Sequence, residues 1–222
     1  MPILSQEFTD ILFRLPALFI ALTIHELSHG LVAYWFHDDT AKRAGRLTLN
    51  PLKHIDPIGA VMLILFRFGW AKPVPINPDN FSKKKLGIVF SSLAGPISNF
   101  LMAFIFSIPY IIIATGEHAS SLASVSFAYI AVRFLSEFVL LNIALGTFNL
   151  LPIPPLDGSK VLFSILPDWI YYEYILRYER YGMILILILS FTGLLSKILN
   201  PMFEAVFWLM TTVLNPIINL IS

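Results

Sequence analysis

The sequence predicts an all-α polytopic membrane protein of about five to six transmembrane helices, with a small membrane-associated β region on the cytoplasmic side. Three observations carry that expectation. Of 222 residues, 57% are hydrophobic and only 13% charged, where soluble domains run at roughly 45–50% and about 25%. Mean hydropathy is +0.76 and 19 residues are Phe, more apolar surface than one soluble core of this length can bury. The apolar residues also gather into runs of about the 20 residues that a helix needs to cross a bilayer.

Taken in order, the runs are Ile11 to Phe36, Leu86 to Thr115, Ser124 to Leu151, Tyr181 to Leu199 and Met202 to Ile221. They make five crossings, the last two joined near Asn200-Pro201. The first is expected to stay in the mature chain, because Glu7 and Asp10 stand where a signal peptide would carry Lys or Arg. A sixth run, Ile58 to Trp70, is short and contains Arg67, which suits a re-entrant piece or a short buried helix better than a span. Between the first two crossings, Arg46-Leu-Thr-Leu-Asn50 and Trp70-Ala-Lys-Pro-Val-Pro-Ile76 alternate in period two, a pattern of short strands. Pro73 and Pro75 mark the second as an edge.

Lys42, Arg43, Arg46, Lys53, Lys72 and Lys83 to Lys85 all fall in that connection, whereas 116–123 has no basic residue. This bias places the 37–86 region in the cytoplasm and the N-terminus outside. A net charge of +1 gives no basic face for nucleic acid, which is not an expected partner. With no cysteine in the chain, disulfides, thiolate metal sites and cysteine nucleophiles are excluded. Chemistry falls to His, Asp, Glu and hydroxyl groups. No internal repeat is present, so residues 1–222 read as one domain.

The first helix carries Thr23-Ile24-His25-Glu26-Leu27-Ser28-His29-Gly30. On a helix His25 and His29 share a face and can bind one metal ion, with Glu26 beside the open position as general base. Two His and a Glu at membrane depth are costly unless paired or metal-bound. Catalytic zinc takes three protein ligands, so a third must come from later in the chain. Glu117 falls in a predicted outer loop, Glu137 stands four residues after Arg133 as an ion-pair partner, and Asp168, Glu173 and Glu179 lie in or beside a Tyr-rich interfacial stretch. Glu204 opens the last helix. Asp157 stands apart in Phe148-Asn149-Leu-Leu-Pro152-Ile-Pro154-Pro155-Leu-Asp157-Gly158, where prolines break the helix as they do at cavities inside membranes. It either caps the helix that follows or completes the metal site, and the unpaired histidines favour the second.

These motifs resemble the site-2 protease family of intramembrane zinc metalloproteases. The resemblance rests on His25-Glu26-Leu27-Ser28-His29, on Ala94-Gly95-Pro96-Ile97-Ser98-Asn99, on the Asn149 to Gly158 segment, and on Gly69 to Asn77. It covers most of residues 20 to 165 and matches compact members without PDZ or CBS domains. It implies that His25, His29 and Asp157 bind one zinc ion and that Glu26 activates the water. It also implies that Asn149 holds substrate or stabilises an oxyanion, and Asn99 is placed with it in that group. Residues 1–165 would then be the catalytic core, with additional helices over 166–222. The implied activity is hydrolysis of peptide bonds in or next to transmembrane helices of membrane-protein substrates, in a prokaryotic cell membrane, with the active site nearer the cytoplasm. A substrate helix would have to unwind, and the 70–77 edge could receive it by strand addition. The competing class is a membrane transporter or metal-binding membrane protein that uses the same His/Glu/Asp cluster, as a transporter would to bind and release a metal ion or proton. His54 reads as a structural loop histidine, and His37 and His118 as interfacial.

Overall fold

The computed structural model describes residues 2–66, 69–115, 127–167 and 176–221. It is all helical among those residues. Helix α1, Pro2–Trp35, is followed by the single turn α2, Thr40–Arg43, by α3, Pro57–Phe66, and by the long α4, Lys84–Thr115. Then come α5, Phe127–Asn149, the short α6, Asp157–Ile165, and the pair α7, Leu176–Phe191, and α8, Leu194–Ile221. Helix α4 is the hub, in contact with α1, α5, α6 and α8.

Many polar side chains are buried beside the apolar core, and many large apolar ones face outward. Thr23, His25, His29, Ser91, Ser92, Asn99, Asn142 and Asp157 are buried, whereas Ile97, Leu101 and Ile105 on one face of α4, and Trp208 and Leu209 on α8, are exposed. That arrangement suits lipid as the surrounding medium, where hydrophobic burial no longer drives helices together and buried polar contacts mark function. Among the described residues three helices are long and apolar enough to cross a membrane: Thr9–Trp35, Lys84–Ala114 and Phe127–Asn149. Tyr181–Phe191 and Leu194–Pro216 make a fourth span only if taken together, across a bend of 86°. The described residues therefore give three to four candidate spans where five to six were expected. The reason is local. Gly193, at φ 72°, breaks the chain in the left-handed region that glycine tolerates, while Asn200-Pro201, the expected break, lies inside continuous α8. Ile58 to Trp70 yields α3, a ten-residue helix too short to span.

The expected β region is also corrected. Among the described residues there is no strand, only one antiparallel bridge between Ile55 and Ala71. The groups a ladder would need are spent elsewhere. Pro73 and Pro75 have no N–H, the Val74 N–H donates to Glu26 Oε2 at 2.8 Å, and the Arg46 guanidinium donates to the Lys72 carbonyl at 2.7 Å. Residues 48–54 curl on themselves, with Asn50 N–H on Thr48 Oγ1 and the buried His54 ring on the Thr48 carbonyl, the structural role expected of that histidine. The Glu137–Arg133 pairing is corrected too, because Glu137 accepts from Arg14 of α1 and Arg133 pairs with Asp10. Glu117, His118, Asp168, Glu173 and most of the Tyr-rich stretch lie outside the described residues.

The connection from α1 to α4 is fastened at one carboxylate. His37, at φ 76°, ends α1, and the Asp38 N–H closes back on the Ala33 carbonyl at 3.0 Å, the six-to-one bond of a left-handed helix stop. The buried Asp38 side chain then accepts from Thr40 N–H, Thr40 Oγ1, Asn80 Nδ2 and Asn77 N–H. Burial pushes its carboxyl up, but these donors outweigh burial and hold it below the usual carboxylate range.

Candidate metal centre

Three helices, α1, α4 and α6, converge on one buried point. Helix α1 presents His25 and His29 one turn apart, with Nε2 atoms 3.0 Å from each other. The break after α5 brings in Asp157, whose Oδ2 lies 3.2 Å from His25 Nε2 and 3.1 Å from His29 Nε2. Asp157 is the first residue of α6, and its carboxylate points at the histidines instead of capping the helix. Its other oxygen accepts from Lys160 Nζ at 3.1 Å. Gly158 permits this arrangement, since a Cβ there would sit 2.1 Å from the Leu150 carbonyl oxygen.

The outer nitrogen of each ring is committed. His29 Nδ1 lies 2.6 Å from the Ser91 carbonyl, which can only accept, so Nδ1 carries the proton and Nε2 a lone pair. His25 Nδ1 lies 2.6 Å from Asn99 Oδ1. Two imidazole lone pairs and a carboxylate oxygen thus face one another in a near-equilateral triangle. Without a cation they repel. Ligand atoms of tetrahedral zinc, at about 2.0–2.2 Å from the metal, stand about 3.3–3.6 Å apart, close to the separations seen. The N/N/O donor set is one that zinc accepts. The fourth wall is Gly95 of α4, where a Cβ would lie 2.4 Å from His29 Nε2 and 2.6 Å from His25 Nε2. Only a residue without a side chain fits there.

The centre opens into a cavity of about 770 Å³. Glu26, Val74, Asn149, Asp157 and Lys160 line it with an apolar majority that includes Trp70 and Phe148. Glu26, next in sequence to His25, is held through Oε2 by Val74. Val74 sits between two prolines and supplies the one N–H available in 73–75. Asn149 faces the cavity, with Nδ2 donating to the Leu145 carbonyl at 3.0 Å. Asn99 does not line it. Fully buried, it spends its amide on the His25 ring, on Asn142 Oδ1 at 2.8 Å and on the Ala21 carbonyl at 3.4 Å, behind His25 and away from the cavity.

Sequence reasoning missed Val74, Gly95 as a wall, Lys160 and Asn142. Lys160 was legible as a cation one helical turn from Asp157. Asn142 was legible as a carboxamide inside a predicted span, an expensive residue there.

The model of peptidase family M50 matches residues 13–193, a stretch that holds every residue of this centre. The chain belongs to peptidase family M50, the site-2 protease family. Among M50 relatives, YwhC of Bacillus subtilis, whose name describes a zinc metalloprotease, is 42% identical over 189 residues, covering 85% of this chain and 84% of its own. Rip2 of Mycolicibacterium smegmatis, similarly named, is 29% identical over 196 residues, 85% of this chain and 69% of its own. MJ0611 of Methanocaldococcus jannaschii, again named for a zinc metalloprotease, is 31% identical over 140 residues, 62% of each chain. No solved structure matches. As an M50 member the protein is a metalloprotease, and zinc is the metal its donor set fits.

Proposed function

We propose that this M50 protein is an intramembrane protease that hydrolyses peptide bonds within or next to transmembrane helices of membrane-protein substrates, with its active site nearer the cytoplasmic side. The observation that carries the reading is the His25/His29/Asp157 triangle with Glu26 beside it, buried among helices long enough to cross a bilayer and open to one large cavity.

His25, His29 and Asp157 hold the metal. Zinc held there would supply Lewis-acid chemistry, lowering the pKa of a water toward about 7 and polarising the scissile carbonyl. Glu26 removes the proton from the attacking water, keeps it on its carboxylate, and delivers it to the amide nitrogen as the C–N bond breaks. The Val74 N–H fixes Glu26 through Oε2 and leaves Oε1 for the proton. Lys160 neutralises the outer oxygen of Asp157. Asn149 offers its amide to the backbone of an unwound substrate segment, which must leave its own helix before a carbonyl is exposed to attack. Lys and Arg in the 42–85 connection favour placing that end of the bundle in the cytoplasm.

The test uses purified protein in liposomes with a single-span substrate. Glu26→Gln is expected to retain about one zinc per chain and to cleave about 10²–10⁴-fold more slowly. Cleavage near the unaltered rate would remove Glu26 from the chemistry. Zinc flux that survives Glu26→Gln, with no cleavage by either protein, would favour transport.

A further inference from the structure

We propose that Asn142 of α5 is a positioning residue that sets the tautomer of His25 through Asn99, keeping His25 Nε2 unprotonated for the metal. The proposal rests on the reading of His25 as a ligand.

The argument is one of hydrogen-bond direction. A neutral imidazole carries one proton, and only the nitrogen without it can bind a metal. His29 has its tautomer set by the Ser91 carbonyl, which cannot donate. His25 lies instead against a carboxamide, and a carboxamide has an accepting end and a donating end of nearly the same shape. If Asn99 turned over, its Nδ2 would face His25 Nδ1 as a donor, and the ring proton would move to Nε2, where it blocks the metal. Shape does not prevent that. The acceptors on the far side of Asn99 do.

Those acceptors form an anchored chain. The Phe138 carbonyl, one turn earlier on α5, can only accept, so Asn142 turns Nδ2 toward it at 2.8 Å. Asn142 Oδ1 is then the end presented to α4, and Asn99 Nδ2 donates to it at 2.8 Å. Asn99 Oδ1 is left for His25 Nδ1 at 2.6 Å, which must donate. The Ala21 carbonyl, at 3.4 Å from Asn99 Nδ2, pulls the same way at longer range. Asn99 and Asn142 have no exposed surface and Phe138 only 1%, so bulk water cannot substitute for a missing partner. A backbone carbonyl on α5 thus dictates, across two side chains, which nitrogen of an α1 ligand bears a proton.

The experiment measures zinc affinity by chelator competition on the detergent-solubilised full chain, with Asn142→Leu and Asn142→Asp beside the unaltered protein, and checks folding of each by thermal unfolding. Leu keeps the branched skeleton of Asn and suits a membrane helix, with thermal unfolding reporting the cost of its greater bulk at this buried position, but it accepts nothing from Asn99. It is expected to weaken zinc binding by about 10–100-fold. Asn142→Asp, held as the neutral acid in this apolar setting, donates its O–H to the Phe138 carbonyl and accepts from Asn99, and is expected to restore most of the affinity. A folded Asn142→Leu protein that binds zinc as tightly as the unaltered chain overturns the proposal, as do equal losses in both variants. If Asn142→Leu does not fold, the ¹⁵N spectrum of the metal-free unaltered protein decides, because His25 is expected to be protonated at Nδ1 and the opposite tautomer overturns the idea. Failure of the unaltered chain to bind zinc would count against the ligand reading itself, while the ¹⁵N spectrum still tests Asn142.

Discussion

Helices α1 and α5 are linked twice, by two different chemistries. Near the start of α1, Asp10 and Arg14 pair with Arg133 and Glu137 of α5, and the Arg14 side chain remains 55% exposed. About three turns further on, His25 reaches α5 through Asn99 and Asn142, with no exposed surface on either amide. The first link uses full charges where solvent or headgroups can share them. The second uses neutral groups whose donors and acceptors must point one way. Charges hold helices together and tolerate small shifts, whereas a directed chain fixes which atom bears a proton. The chemistry sits at the second.

The directed region is expected to break first, and most severely, at Gly95. A Cβ there would stand 2.4–2.6 Å from both Nε2 atoms, inside the space that the metal and its water need. Ring atoms of the two histidines, not the end of a flexible chain, lie nearest to it. Gly95→Ala is expected to lose zinc and to lower proteolysis by at least the 10–100-fold seen when the surroundings of a metal ligand are disturbed, in a protein that still inserts into membranes. Metal content by mass spectrometry, beside a cleavage assay, checks both. A variant that keeps stoichiometric zinc would show that α4 does not wall the centre as closely as the triangle implies.

What the sequence disclosed divides along the same line. His25, Glu26 and His29 follow from helical spacing, and Asp157 from a carboxylate after a proline break, because both signals are local. The runs that became α1, α4 and α5 were legible because bilayer thickness imposes one length on them. The failures depend on contacts between segments distant in the chain. The 70–76 segment alternates like a strand, but beyond one bond from the Lys72 N–H to the His54 carbonyl its hydrogen bonds go to the Glu26 and Arg46 side chains, which no local pattern reveals. Glu137 has a partner four residues away in sequence and takes one 123 residues away instead. Asn99 was recognised by motif, yet its place behind His25 required knowing that α5 carries Asn142. Gly193 lacked the Asn-Pro signature that drew attention to 200–201, and a left-handed glycine broke the chain without it.

Asp38 sharpens the comparison, since it is a full charge held by directed donors. Its folded carboxyl lies below the usual range, whereas in the unfolded chain it titrates near about 3.9. A lowered folded value contributes stability in full above the unfolded value and loses it as the pH falls through the folded one. A carboxamide in its place would turn an N–H toward donors, so Asp38→Asn is expected to cost about 1.5–3 kcal/mol at neutral pH. That difference should hold down to about pH 5 and shrink below about pH 4. Thermal unfolding of both chains across this range checks it, and release of metal in acid cancels in the comparison. A difference that grows in acid would mean that Asp38 is protonated in the fold.

The smallest effect is expected at the charged link. Arg14 donates to Glu137 through Nε at 3.0 Å and through a terminal nitrogen at 3.3 Å, a fork on a carboxylate that is 12% exposed while the arginine is largely open. Pairs of this exposure couple by about 0.2–1 kcal/mol and weaken as salt screens them. In a double-mutant cycle of Arg14→Ala and Glu137→Ala, unfolding is expected to give a coupling in that range that falls with added salt, while zinc affinity stays unchanged. The zinc measurement matters more than the coupling. A charged link that only joins α1 to α5 has no route to the His25 tautomer, because Asn142 takes its direction from the Phe138 carbonyl on its own helix. If loosening the ion pair moved zinc affinity as Asn142→Leu is expected to, the register of α5 against α1 would be what reaches the metal, and the separation between a tolerant end and a directed one would fail.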